Sequence, residues 1–428
     1  MIDRSTMAHP VHEASKSHPM GSFTGEEFFS KHRIVHRESF MLNRQGMKIF
    51  TQSWQPAALQ PLRGVVAMIH GYACDSSWVF QLTAVAVAKL GFLVCALDLR
   101  GHGRSEGRRG HLPSVAPVVD DCIEYFESVR AMHPRLPAFL YGESLGGAMA
   151  VLVCLRQQQK SRFWSGLILH GAMCGITSKF KPPWPLETLL PLAAWAAPRW
   201  RVVLTKSLVE KSYKQGWVRE LVRRNPRTER KCEYAPAATA LEMIRVCGEV
   251  TRRSGDLEVP LLVVHGAEDA ICDVKSAMVV YARARSKDKT LKIVAGMWHQ
   301  LVGEEAETKD PSKFLGNWFY RLAVVSGIVF AVPGALTVDY GREVITGCIL
   351  KYTFKSMREK VKTHPIPVEY VDQTSRVPEN KIGMKYKEKN DLPTREIGVS
   401  QYNEEGEERS VLRSCGKEKQ EDRSLIAV

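Results

Sequence analysis

No C-x-x-C pair and no Cys/His cluster at zinc-ligand spacing occurs in this chain of 428 residues. A structural zinc module or a dithiol redox site is therefore not expected. The ten cysteines are scattered, and several sit inside apolar runs such as FLVCALDL and AVLVCL, where a thiol behaves as a small buried hydrophobe. This usage suits reduced thiols on the cytosolic side better than a disulfide framework. The first twenty residues, MIDRSTMAHPVHEASKSHPM, lack an apolar core segment, so neither a secretory signal nor an N-terminal anchor is expected. Residues 1–25 read instead as a disordered leader. Nothing fibrous or collagen-like appears in the composition, and a 44% hydrophobic content suits a packed core.

The net charge of +14 is unevenly placed. Residues 179–231 hold 13 Lys/Arg against 4 Asp/Glu, whereas residues 311–428 hold 19 against 16. The excess lies mid-chain.

From Gly64 to about His170, short apolar runs alternate with helical stretches. VVAMIH, FLVCALDL, AFLYG and GLILHG read as strands, with LTAVAVAKLG, VAPVVDDCIEYFESVRAM and MAVLVCLRQQ as helices between them. Strands of this kind, separated by helices, predict an α/β protein with a mostly parallel sheet covered on both faces. SFMLNRQGMKIFTQSWQP predicts an antiparallel hairpin leading into the sheet, and VPLLVVHG and LKIVAG two later strands. Residues of about 173–250 interrupt the alternation with a helical, Pro- and Trp-rich, basic insert, read as a cap over the C-terminal edge of the sheet. Leu189, Leu190 and Leu192 are candidates to line an acyl channel beneath it. The main domain is expected over 26–310, a closing helix and apolar segment over 311–345, and a mostly disordered charged tail over 346–428. Leu322–Val338 is uncharged for 17 residues but carries a Pro333-Gly334 break, at the short limit for a membrane span.

The chemistry concentrates in FLYGESLGGAMAVL. Gly142-Glu143-Ser144-Leu145-Gly146 is a G-x-S-x-G pattern between an apolar strand and an apolar helix, where a serine on a sharp turn acts as a nucleophile. A serine hydroxyl needs a base, and the base an acid partner. In that arrangement the acid and then the histidine follow the serine in the chain. Asp269, after VVHG, is the expected acid, with Glu268 and Asp273 as competing carboxylates. His299, after the last strand, is the expected base. The oxyanion donors are expected to be the backbone N–H groups of Leu145 and Tyr72. Asp98, Arg100, Gly101, His102 and Gly103 shape a neighbouring loop, and His102 is read as structural. His70 and Asp75 also spell H-x4-D, an acyltransferase pattern, but with little specificity.

HGYACDSSWVFQ, DLRGHGRSEG, FLYGESLGGAM, VVHGAEDAICD and KTLKIVAGMWHQLVGE together resemble plant monoacylglycerol lipases. That branch of the α/β-hydrolases includes caffeoylshikimate esterase and is serine aminopeptidase S33-like and lysophospholipase-like. The resemblance covers about residues 26–305. It implies an α/β-hydrolase fold and a carboxylic ester hydrolase with Ser144, Asp269 and His299 as triad. It further implies Tyr72 and Leu145 as oxyanion donors, and neither cofactor nor metal. Monoacylglycerol or lysophospholipid is the implied substrate. The rival readings are an esterase on a soluble phenolic ester such as caffeoylshikimate and a non-catalytic ligand receptor. The cap departs from the family in its Trp, Arg and Lys content, which suits contact with a membrane surface. A cytoplasmic, membrane-associated protein with no nucleic-acid partner is expected.

Overall fold

The computed structural model describes residues 9–57, 61–158, 163–181, 184–201, 207–228 and 234–302, together with 400–402 and 408–410. The chain divides into two units, Met1–Asp372 and Gln373–Val428. In the second, the described residues are two short antiparallel strands, Ser400–Tyr402 and Glu408–Ser410. The closing helix, Leu322–Val338 and the disordered tail of the sequence reading lie outside the described residues, apart from those strands.

Among the described residues the first unit holds eight strands: β1 (Ile34–Leu42), β2 (Lys48–Pro56), β3 (Val65–Ile69), β4 (Leu93–Leu97), β5 (Ala138–Glu143), β6 (Gly166–His170), β7 (Leu261–Gly266) and β8 (Lys289–Val294). Their order across the sheet is β1-β2-β4-β3-β5-β6-β7-β8. The β1–β2 hairpin and the β2–β4 pair are antiparallel, and all later pairings are parallel. The expected mostly parallel sheet is thus borne out.

Side chains alternate between two cores, one on each face. Ala67, Cys95, Leu140, Leu167 and Val263 pack against α3 (Ala116–Met132), α4 (Leu145–Gln157), α8 (Ala237–Arg253) and α9 (Val274–Arg283). Their immediate chain neighbours Met68, Val94, Phe139, Ile168 and Leu262 pack instead with α1 (Gly25–Lys31) and α2 (Phe80–Lys89). A strand apolar at every position needs cover on both sides, and these helices supply it. Between β6 and β7 the described residues form four α-helices: α5 (Leu186–Ala196), α6 (Leu208–Ser212), α7 (Gly216–Arg223) and α8. They occupy the stretch read as the basic insert.

The leader expectation needs correction for residues 9–25. Pro10–Glu13 forms a 3-10 turn, and Val11 and Met20 are buried in the α1–α2 core. A capping box closes the start of α1: the Thr24 hydroxyl accepts from the Glu27 N–H, and the Glu27 carboxylate accepts from the Thr24 N–H. Phe28 is fully buried there, so this segment completes the core. Polar composition concealed it because few apolar anchors suffice to hold a short segment. All seven described cysteines are free thiols. Among the described residues no helix is long and apolar enough to cross a membrane.

Phe28→Ala is expected to cost about 3–5 kcal/mol in denaturant unfolding. An unchanged midpoint would show that the N-terminal helix is not part of the cooperative core.

Candidate active site

β5 ends at Glu143, and the chain turns into α4 through Ser144, which holds φ 54° and ψ −121°. For a residue with a Cβ this conformation costs about 1–3 kcal/mol and persists only where the surroundings impose it. The glycines on either side explain how. A Cβ on Gly142 would lie 2.4 Å from the Gly146 carbonyl oxygen, and one on Gly146 would lie 2.1 Å from that of Ile69. Helix α4 thereby sits hard against β3 and β5. The Ser144 carbonyl accepts from the N–H groups of Gly147 (2.9 Å) and Met173 (2.8 Å), which pins the turn.

His299 lies in the loop after β8. A Cβ on Gly266 would meet the Trp298 carbonyl oxygen at 2.1 Å, and one on Gly171 the His299 oxygen at 2.9 Å. The loop therefore rests directly on the ends of β6 and β7. His299 Nε2 is 2.9 Å from Ser144 Oγ, and its Nδ1 is 2.7 Å from Asp269 Oδ2.

Asp269 is held by more than His299. Its Oδ1 accepts from the backbone N–H groups of Ile271 (2.8 Å) and Cys272 (2.9 Å). Its Oδ2 also lies 3.1 Å from Nε2 of the fully buried His265. Burial works against the carboxylate charge, yet His299 and His265 outweigh it and keep the Asp269 carboxyl well below its ordinary range. The same pairing acts in reverse on His299. Burial alone would lower its pKa, but the charge and hydrogen bond of Asp269 raise it above 6.5. Of the competing acids, Glu268 is exposed, and Asp273 caps α9 by accepting from the Lys275 and Ser276 N–H groups.

Gly71 lies against Ser144, where a Cβ would come within 3.1 Å of the Ser144 Cβ. Tyr72 and Leu145 both line the cavity that contains Ser144. Leu145 is the first residue of α4, where a helix leaves backbone donors without intrahelical acceptors. His70 and Asp75 do not meet as an acyltransferase pair. His70 Nε2 accepts from the Leu99 N–H, whereas Asp75 accepts from Ser77 and from Asn225 of the insert. Burial pushes the His70 pKa down to about 4 and that of His102 to about 3, so both are neutral. His102 donates from Nδ1 to the Arg100 carbonyl oxygen at 3.0 Å. Asp98 organises the loop named from the sequence, accepting from Ser76 and from the Arg104 N–H.

Two further residues belong to the site. His265, inside the VVHG strand, looked like part of an apolar run. Gln300 follows His299, and its amide donates to Glu143 Oε1 at 2.7 Å, joining the neighbours of His299 and Ser144. A polar residue ending a buried strand was the available signal for His265; none marked Gln300. Asp269, Cys272 and His299 form one group with potential metal-ligating atoms within 4.8 Å, but Asp269 and His299 already bond to each other.

The cavity over Ser144 is mainly apolar, with Met173, Ile176 and Phe180 from the chain just after β6 and Leu208, Val209 and Ile244 from later in the insert. Leu189 and Leu192, expected as channel residues, are instead exposed, and Leu190 packs on α8 at Ala237. The side of α5 facing α8 takes Leu190, leaving the other leucines outward.

The chain matches the serine aminopeptidase, S33 family over residues 60–306. It is 31% identical over 293 residues to caffeoylshikimate esterase of Arabidopsis thaliana, covering 68% of this chain and 86% of that protein. It is 27% identical over 299 residues to monoglyceride lipase of Homo sapiens, covering 67% and 91%. Among solved structures, a soluble variant of monoglyceride lipase from Saccharomyces cerevisiae aligns with TM-score 0.57 and 20% identity, over 66% of this chain and 94% of the other. Monoacylglycerol lipase of Paleococcus ferrophilus aligns with TM-score 0.55 and 17% identity, over 64% and 100%. At these identities the structural likeness establishes the fold.

Replacing Asp269 by Asn removes the charge that holds the His299 pKa up. The imidazole midpoint, followed by NMR, should then fall. An unmoved midpoint would show that Asp269 does not govern the protonation of His299.

Proposed function

Because the chain belongs to the serine aminopeptidase, S33 family of α/β-hydrolases, we propose that Ser144, His299 and Asp269 form the catalytic triad of a monoacylglycerol lipase. The protein is a serine-type carboxylic ester hydrolase. One observation carries the residue assignment: the unbroken hydrogen-bond chain from Ser144 Oγ through His299 to Asp269, on the wall of a mainly apolar cavity.

In this reading Ser144 Oγ attacks the ester carbonyl carbon while His299 Nε2 takes the hydroxyl proton. The carbonyl oxygen becomes an oxyanion, met by the N–H groups of Leu145 and Tyr72. Collapse breaks the ester bond, and His299 returns the proton to the departing glycerol oxygen. Water then attacks the acyl-serine, giving its proton to His299, and the fatty acid leaves as Ser144 recovers its hydrogen. Asp269 stays ionised and stabilises the imidazolium, and His265 and two backbone N–H groups hold it there.

The apolar lining suits a fatty acyl chain, and monoglyceride lipases recur among the relatives. A lipid surface would meet the insert. Leu186, Leu189, Leu192 and Trp195 recur every three residues along α5, and all are exposed. Trp195 is 81% exposed, an arrangement that favours the headgroup level of a bilayer. The phenolic-ester reading stays as the rival, since caffeoylshikimate esterase is among the relatives.

Ser144→Ala should lower turnover about 10⁴- to 10⁶-fold with substrate binding nearly intact. Residual activity within tenfold of wild type would identify another nucleophile. Higher kcat/KM on 1-monoacylglycerol than on caffeoylshikimate is expected; the opposite ranking would replace the lipid substrate by the phenolic one. Wild-type protein that fails to react with a fluorophosphonate while folded would favour a receptor.

A further inference from the structure

The loop that follows β4 meets the chain leaving α5 at a cluster of arginines. The charges of Arg108, Arg199 and Arg201 all act on His111, and Arg201 reaches the Arg109 backbone. Arg201 donates to the carbonyl oxygens of Arg109 and Tyr234, both at 2.8 Å, while Arg109 donates to that of Gly103. Two of the four guanidinium groups are therefore set in place by backbone. The other two, Arg108 and Arg199, are exposed, and among the described residues neither forms an ion pair.

The simplest alternative is that these are ordinary solvated surface charges. Two features weigh against it. Cations from two segments some ninety residues apart in sequence converge, although like charges at short range repel. Close by, burial and then the charges of three arginines lower the His111 pKa, while its Nδ1 is buried without a hydrogen-bond partner among the described residues. The surface also has an apolar companion: Trp200, between Arg199 and Arg201, is exposed, and the exposed stripe of α5 ends just before it.

We propose that Arg108, Arg109, Arg199 and Arg201 form a binding site for the anionic headgroups of a lipid bilayer. The insert would then dock on negatively charged membranes in preference to neutral ones. Guanidinium groups match phosphate and carboxylate oxygens with paired N–H donors, and exposed tryptophans beside them suit the interfacial layer. The site also adjoins the catalytic cleft of the proposed esterase. Tyr72 donates its hydroxyl to the Gly110 carbonyl, and Gly110 lies between Arg109 and His111. Docking here would present a lipid ester near Ser144. This inference rests on the lipid-esterase reading for its occupant, though not for the existence of an anion site.

The test uses the full-length protein and co-sedimentation with phosphatidylcholine vesicles, with and without phosphatidylserine. Wild type should bind the anionic vesicles more tightly. Arg108→Gln combined with Arg199→Gln should weaken that binding roughly fivefold for each charge removed, with binding to neutral vesicles unchanged. Turnover of a water-soluble short-chain ester should also be unchanged, which would show that the variant folds. Trp195→Ala should weaken binding to both kinds of vesicle. Retention of the anionic preference by the double arginine variant would overturn the proposal. So would wild-type indifference to lipid charge, or failure to bind either vesicle. Inorganic phosphate that binds tightly without vesicles and abolishes vesicle binding at constant ionic strength would reassign the site to a free anion, also overturning it. None of these outcomes bears on the kinetic ranking of monoacylglycerol against caffeoylshikimate, so the esterase reading stands or falls separately.

Discussion

A carboxylate removed from water must be met by donors on every side, and Asp269 shows how much structure that requirement recruits. Two donors come from its own loop, at Ile271 and Cys272, which curls back beneath it. A third is His265 on β7, four residues earlier, and the fourth is His299 from beyond β8. Together these bonds fix the acid, the end of β7 and the loop after β8. Gly266 makes the last approach feasible, since any side chain there would collide with the Trp298 backbone. The ionised state of Asp269 and the raised pKa of His299 are two expressions of one interaction.

The turn at Ser144 is the complementary constraint. Its unfavourable φ is sustained by close contacts: α4 is pressed onto β3 and β5 where only glycine fits, and the Ser144 carbonyl holds two further N–H groups. The serine cannot relax without displacing a helix packed in the core. Glu143 and Gln300 then tie this turn to the histidine loop. Burial pushes the Glu143 pKa up, offset in part by the Gln300 amide. The strain at the serine and the placement of the histidine are thus mechanically coupled.

The insert between β6 and β7 is attached to this frame by polar contacts as well as by the packing of α8. Asn225 donates to Asp75 at 2.6 Å, Trp78 donates to the Leu221 carbonyl at 2.8 Å, and Gln300 donates from its backbone to Ser212 at 3.0 Å. Each attachment ends on a loop that borders Ser144 or His299. Motion of the insert would therefore be felt at the site. The outer surface of α5 contributes nothing to these attachments, which leaves its leucines and tryptophan available for another medium.

Much was legible before any coordinates. Apolar runs at strand length, separated by amphipathic helices, specify a covered parallel sheet because side chains alternate faces with a period of two. The G-x-S-x-G turn is equally local, since steric demands at Gly142 and Gly146 act within a few residues. The chain order of serine, acid and histidine then named three side chains that lie in hydrogen-bond contact in the folded protein. The folded chain alone decided which groups meet across distance. His265 was hidden in an apolar strand, and Gln300 had no mark beyond its neighbour. The leader looked too polar to pack until Val11 and Met20 found the α1–α2 core. Leu189 and Leu192 turned outward because Leu190 took the side facing α8. Arg109 and Arg201 came together only through the junction of a sheet loop with the insert. Sequence pattern governs what neighbouring residues do, whereas burial and pairing between distant segments depend on a geometry that no single stretch encodes.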